Sequence, residues 1–213
     1  MAAVLLTGFA PFGGEEVNPS WQASSLIAAQ RPEFAAVELP CEFGASLPAL
    51  RAAIELHRPE VVVCVGQAGG RAELTPERVA INLLDARIPD NAGARPVDVP
   101  VLPGGPAAYF TTLPVKAVVA AVRQAGVPAS VSHTAGTFVC NQVFYGLMHL
   151  LATEFPGTRG GFVHVPYSPE QVAAAGTNAP SLDVGRCADA LGVLADTALS
   201  VTEDLSTPAG SLH

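Results

Sequence analysis

Short apolar runs alternate along this chain with longer segments whose apolar positions recur at helical spacing. Residues 4–6 are apolar and lead to Gly8, the pattern of a buried strand. Asn18-Pro-Ser-Trp follows. Asn suits a helix N-cap and Pro its first turn, so a helix is predicted through about Gln30. Residues 35–39 alternate weakly and read as a strand. Leu47, Leu50, Ile54 and His57 fall near helical spacing and predict a helix over 46–57. Residues 61–65, Val-Val-Val-Cys-Val, are apolar throughout, as parallel strands covered on both faces are. They run into Gly66-Gln-Ala-Gly-Gly, a loop where backbone can approach a ligand. Residues 79–84 resemble a further strand, and 89–107, rich in Pro, Gly and Asp, a long loop. Residues 115–123 read as a helix stopped at Gly126, and 129–132 as a strand. Val139, Val143, Leu147 and Leu150 mark one face of a helix. Residues 161–165 read as a strand, 181–202 as the last helix, and 206–213 as a flexible tail.

Strands alternating with helices predict an α/β fold: a three-layer α/β/α sandwich around a mostly parallel twisted sheet. A length of 213 residues fits one domain spanning 1–213. Composition narrows the class. Hydrophobic residues make up 49% and charged residues 14%, enough apolar material for a large core and too little charge for disorder. The net charge is −8, from 11 Lys and Arg against 19 Asp and Glu. No basic cluster exists to neutralise phosphates, which excludes nucleic-acid partners. So sparse a charged surface points to apolar surface covered by another subunit. Cys41, Cys64, Cys140 and Cys187 form no CxxC pair and no zinc spacing, so no metal site is expected, and isolated thiols fit a reducing cytoplasm. The N-terminal apolar run is short and lacks a basic flank, so it is read as a core strand, not a signal peptide. No apolar stretch approaches the roughly 18 residues of a membrane span.

In such sheets ligands bind at the carboxyl ends of the strands. Four segments qualify: 8–14, 66–71, 133–140 and 164–168. Cys140 lies at a predicted helix start after a small-residue turn, where the helix dipole favours a thiolate nucleophile. A thiolate needs a base. His57, His149 and His213 lie on helices or at the chain end. His164 ends a buried strand at the right edge of the sheet and is favoured over His133, which lies near the same edge. Glu73, Glu77, Asp85 and Asp90 are all candidates to orient the imidazole, and position alone does not choose among them.

Together the motifs resemble the pyroglutamyl peptidase I family of cysteine peptidases. The similar segments are Thr-Gly-Phe-Ala-Pro-Phe-Gly-Gly from Thr7, Asn18-Pro-Ser-Trp, Gly66-Gln-Ala-Gly-Gly-Arg and Thr75-Pro-Glu-Arg-Val-Ala-Ile-Asn. They continue with Asp85-Ala-Arg-Ile-Pro-Asp-Asn, Thr134-Ala-Gly-Thr-Phe-Val-Cys-Asn and His164-Val-Pro-Tyr. The resemblance implies a Glu–Cys–His triad mapped onto Glu77, Cys140 and His164, and removal of an N-terminal pyroglutamyl residue from peptides. It implies a ring pocket of Phe9, Phe12, Ile88 and Phe138, with groups near Asn18 and Gln67 binding the lactam. Arg87, the Cys140 N–H and a donor from loop 69–71 are candidates for the oxyanion. No cofactor is implied. The family is typically cytoplasmic and homo-oligomeric, tetrameric or dimeric. His133 stands where the family commonly has Asn.

Two other classes compete on the same fold. One is another activity, such as a nucleoside phosphorylase or a cysteine amidotransferase subunit; a phosphorylase needs cations for phosphate, and the strand-end loops offer only Arg71 and Arg87. A binding protein needs no reactive thiol.

Overall fold

The computed structural model describes residues 2–210. Its elements in chain order are β1 (Val4–Phe9), α1 (Pro19–Gln30), β2 (Phe34–Leu39), α2 (Ser46–His57), β3 (Val61–Gln67), β4 (Thr75–Pro76) and β5 (Val79–Ile81). There follow β6 (Ala108–Phe110), α3 (Val115–Gln124), α4 (Val139–Thr153), β7 (Arg159–Val165), α5 (Pro169–Ala174) and α6 (Val184–Ser200). The main sheet has the order β2-β1-β3-β7-β4. β2, β1, β3 and β7 are parallel, and only the two-residue β4 runs antiparallel.

Two cores separate on the pleat. Val4, Leu6, Val61, Val63, Val163 and Val165 face one way and pack with α1, α3 and α6. Leu5, Phe9, Val62, Cys64 and Phe162 face the other way and pack with α2 and α4. Side chains alternate across a strand, so a run apolar at every position fills both layers at once. This is the three-layer α/β/α sandwich that the alternation predicts. α1 lies close on β1 because Gly8 has no side chain: a Cβ there would lie 2.4 Å from the Trp21 backbone.

Four segments differ from the pattern-based reading. The strand expected over 79–84 ends at Ile81 and pairs with β6 in a separate two-stranded sheet. The segment 129–132 makes only isolated bridges, Leu74 to Ala129 and Glu77 to Ser132. Pro76, opposite it, has no N–H and breaks the ladder. α5 falls where no helix was expected. Its start is a capping box, with Ser168 accepting from the Gln171 N–H and the Gln171 side chain accepting from the Ser168 N–H. The last helix begins at Val184, because the Asp183 carboxylate caps the Arg186 N–H. Of the tail expected over 206–213, residues 211–213 lie outside the described residues. Ahead of it, Asp204 caps the N–H groups of Lys116 and Ala117 at the start of α3.

Candidate active site

β3 and β7 set the geometry. Their parallel register places Gly66 beside His164 at the carboxyl edge of the sheet. His164 shares a strand face with Phe162, two residues earlier, and so points to the α4 side. α4 begins at Val139, and Cys140 occupies its first turn, where backbone N–H groups lack acceptors within the helix. The Cys140 Sγ lies directly over Gly66, 2.9 Å from where a Cβ on that residue would stand. Cys140 is partly exposed, whereas Cys41, Cys64 and Cys187 are buried; all four are free thiols.

Glu77 follows β4 and is wholly buried. Its backbone N–H donates to the Phe162 carbonyl at 2.8 Å. Its Oε1 meets His164 Nδ1 at 2.7 Å, so Nδ1–H donates to the carboxylate and Nε2 remains for chemistry. The other carboxylate oxygen, Oε2, is buried without a hydrogen-bond partner among the described residues. The structure thus brings Glu77, His164 and Cys140 to one edge of the sheet.

The remaining carboxylates go elsewhere. Glu73 accepts from the Ser130 hydroxyl. Asp85 is exposed. Asp90 is buried and accepts from the N–H groups of Phe43, Ala92 and Ala94, which makes it the anchor of its turn. His133 is exposed, and His149 Nδ1 is bonded to the Tyr109 hydroxyl at 2.9 Å. His213 lies outside the described residues.

Burial dominates the electrostatics. It pushes the Cys140 thiol well above its ordinary value, with Cys41 and Glu77 adding to the effect; Arg71 and the Cys140 N–H pull the other way. Burial therefore opposes the thiolate that the helix start favours, and the partial exposure of Cys140 tempers that effect. Desolvation by the apolar sheet outweighs the dipole. Burial also lowers His164, against the raising effect of Glu77. Burial alone would raise Glu77, but the His164 hydrogen bond and the charges of His164 and Arg71 hold it below the usual range.

The residues expected around a ring divide into two layers. Phe12 and Phe138 pack with centroids 6.1 Å apart, and Phe43 meets Phe138 edge-on at 5.3 Å. Phe43 was not anticipated, since residues 41–45 carry no periodic signal. Phe9 is only 2% exposed and packs beneath, against Phe162. Ile88 is 43% exposed and its Cδ1 lies 3.9 Å from a Cβ position on Gly13. Gln67 Oε1 accepts from Gln171 Nε2 at 3.0 Å. Asn18 is the N-cap of α1: Oδ1 accepts from the Ser20 N–H and hydroxyl, and Nδ2 donates to the Ala10 carbonyl. Its side chain thus holds the loop after β1. Arg87 is exposed, with no side-chain hydrogen bond among the described residues. Arg71 instead donates to Glu77 Oε1 at 2.7 Å and to the Thr134 carbonyl at 3.1 Å. Its guanidinium is thus spent on the protein, which weakens the phosphate-binding alternative. No group of three or more His, Cys, Asp or Glu side chains among the described residues could hold a metal.

The family model described as pyroglutamyl peptidase matches residues 2–201. The chain belongs to the pyroglutamyl peptidase family. It is therefore a hydrolase of the cysteine-peptidase type. A pyrrolidone-carboxylate peptidase of Streptomyces coelicolor is 62% identical over 100% of both chains, and one of Bacillus subtilis 51% identical over 99% of this chain and 98% of its own. The crystal structure of pyroglutamyl peptidase I from Bacillus amyloliquefaciens matches with a TM-score of 0.92 at 50% identity, over 98% of this chain and 100% of that one. The pyrrolidone carboxyl peptidase of Thermococcus litoralis matches with a TM-score of 0.91 at 34% identity, over the same shares.

Proposed function

We propose that this enzyme removes an N-terminal pyroglutamyl residue from peptides through a thioester on Cys140. The observation that carries the mechanism is the 2.7 Å contact of His164 with Glu77 beside a Cys140 Sγ packed on Gly66. His164 Nε2 takes the thiol proton as Sγ attacks the pyroglutamyl carbonyl. This follows from the resting charges: a raised thiol and a lowered imidazole start neutral, so the proton moves with the attack. Glu77 fixes the ring and stabilises the imidazolium as it forms. The imidazolium then protonates the leaving amine, and the C–N bond breaks. Water cleaves the thioester and frees pyroglutamate. The Cys140 N–H, at the start of α4, is placed to hold the oxyanion. Arg87, exposed on its turn, would have to swing in to help.

Pyroglutamate is a small, uncharged lactam. Phe12, Phe43 and Phe138 supply an apolar wall, Ile88 its edge and Phe9 its floor, while Gln67 and backbone near Asn18 meet the lactam polar groups. An unmatched buried polar group costs about 1–3 kcal/mol, which disfavours residues without the lactam. Four free thiols fit a reducing cytoplasm. Leu56 is 77% exposed, Phe110 68% and Val97 60%, which fits a homo-oligomer, a tetramer or dimer. Light scattering that gives a monomer at micromolar concentration would remove that last proposal.

The deciding experiment is turnover of a pyroglutamyl anilide beside a prolyl anilide. The wild type should cleave only the first, and Cys140→Ser should lose roughly a thousandfold or more in kcat. Wild-type activity in Cys140→Ser, or equal turnover of both anilides, would sink the proposal.

A further inference from the structure

Arg71 is not one of the three residues the family motifs supply, yet its guanidinium spans all the segments that carry them. Nη1 donates to Glu77 Oε1 at 2.7 Å, the same oxygen that receives His164 Nδ1–H at 2.7 Å. Nη1 also reaches Thr75 Oγ1, and Thr75 pairs with His164 across β4 and β7. Nη2 donates to the Thr134 carbonyl, at the head of the turn that delivers Cys140. One planar fork therefore ties the carboxylate, the strand beside the imidazole and the nucleophile turn.

We propose that Arg71 is a positioning residue of this active site, sharing Glu77 Oε1 with His164 and fastening the Cys140 turn to the same carboxylate. This rests on the triad reading above. The geometry gives Arg71 a task that no other described side chain performs. Glu77 Oε2 is buried with no hydrogen bond of good geometry, and the Ser132 hydroxyl is the weakest of the groups that stabilise the carboxylate, so the two close donors on Oε1 do most to fix its plane. Without Arg71, the imidazole N–H would be the one close hydrogen bond left to the carboxylate. Lysine could supply the charge but not the fork.

The charge has its own consequence. The ionisable groups that act on His164 are Glu77 on the loop after β4 and Arg71 on the loop before it; the same two, with Cys41, act on the Cys140 thiol on α4. A fixed cation here disfavours the imidazolium and favours the thiolate, and Arg71 lowers both His164 and Cys140. Its loss should raise both.

The test uses the full-length enzyme, with Arg71→Met and Arg71→Lys checked for folding by circular dichroism. In Arg71→Met, kcat for the pyroglutamyl anilide should fall at least about tenfold, the scale for losing a partner of an orienting carboxylate, with little change in KM. The acid limb of kcat/KM should move to higher pH. Arg71→Lys should lose kcat but keep the wild-type acid limb. A purely structural arginine would lower stability and leave the limb unmoved, and an unmoved limb in folded Arg71→Met overturns the proposal. A second readout needs no substrate. Alkylation of Cys140 by iodoacetamide at pH 8 should slow several-fold in folded Arg71→Met, which loses the cation, with a Cys140→Ala control. Unchanged alkylation in that variant also overturns it. If the wild type fails to cleave the anilide, the substrate reading fails, while alkylation still judges Arg71. If Arg71→Met does not fold, Arg71→Lys decides: wild-type kcat refutes the need for the fork.

Discussion

At residue scale, the chemistry depends on what a side chain touches more than on what it is. Gly66 carries no group of its own, yet Cys140 Sγ and the Phe162 ring occupy the space a Cβ would need, at 2.9 and 2.8 Å. Gly66→Ala should therefore push Sγ off its seat. We expect a loss of about 1–3 kcal/mol in stability, read by thermal unfolding, and a larger proportional loss in kcat than in KM. Glu77 raises His164 through its hydrogen bond and charge. Glu77→Gln removes that support, so the acid limb of kcat/KM, set by a neutral imidazole, should move to lower pH while kcat falls. An acid limb moving upward would contradict the roles assigned here. Glu77 itself was not separable from Glu73, Asp85 and Asp90 by position along the chain. Only the contact with His164 separates it, and the family motif carried that choice in advance.

At the scale of elements, polar side chains at helix starts do as much as the apolar stripes. Asn18 closes the first turn of α1 and ties back to Ala10. Asn18→Ala should cost about 1 kcal/mol for the cap, or roughly 2–4 °C in Tm for a chain of this size. If the ring-binding reading of this loop holds, KM for the anilide should rise as well, because the loop after β1 loses its anchor. The helices were legible because cap and periodicity agree, as for Asn18 ahead of Pro19. α5 was missed although Ser168 and Gln171 spell a capping box, because its six residues carry no periodic stripe. The segments 79–84 and 129–132 misled for a different reason. Local composition can signal extended backbone, but pairing depends on the neighbour: 79–81 pairs with β6 instead of the main sheet, and Pro76 offers no N–H to 129–132.

Across the whole molecule, two buried ionisable groups couple the site to stability. Glu77 is held below its ordinary 4.5, so its contribution is present at higher pH and is lost as pH falls through the lowered value. His164 is held below its ordinary 6.5, so the unfolded chain takes that proton first and stability falls as pH drops below 6.5. Both effects have the same sign. Tm should fall on acidification from pH 7 to pH 5, and His164→Gln should flatten that slope. A Tm unchanged over the interval would show that His164 contributes little; the Glu77 contribution is lost only at pH below 4.5.

The sequence by itself determined the layered α/β/α architecture, since an all-apolar strand such as β3 has to be covered on both faces. It also determined the family, because seven ordered segments constrain far more than any one residue. The tertiary structure decided the rest. It set Cys140 on Gly66, gave Glu77 to both His164 and Arg71, brought Phe138 to both Phe12 and Phe43, and spent Asn18 on its own helix. Those pairings join residues far apart in the chain, such as Glu77 and His164, 87 positions apart. It also set burial against the thiolate that the start of α4 favours at Cys140. A helix start favours a thiolate only as far as its surroundings stay polar, and how apolar they are is a property of packing, not of local sequence.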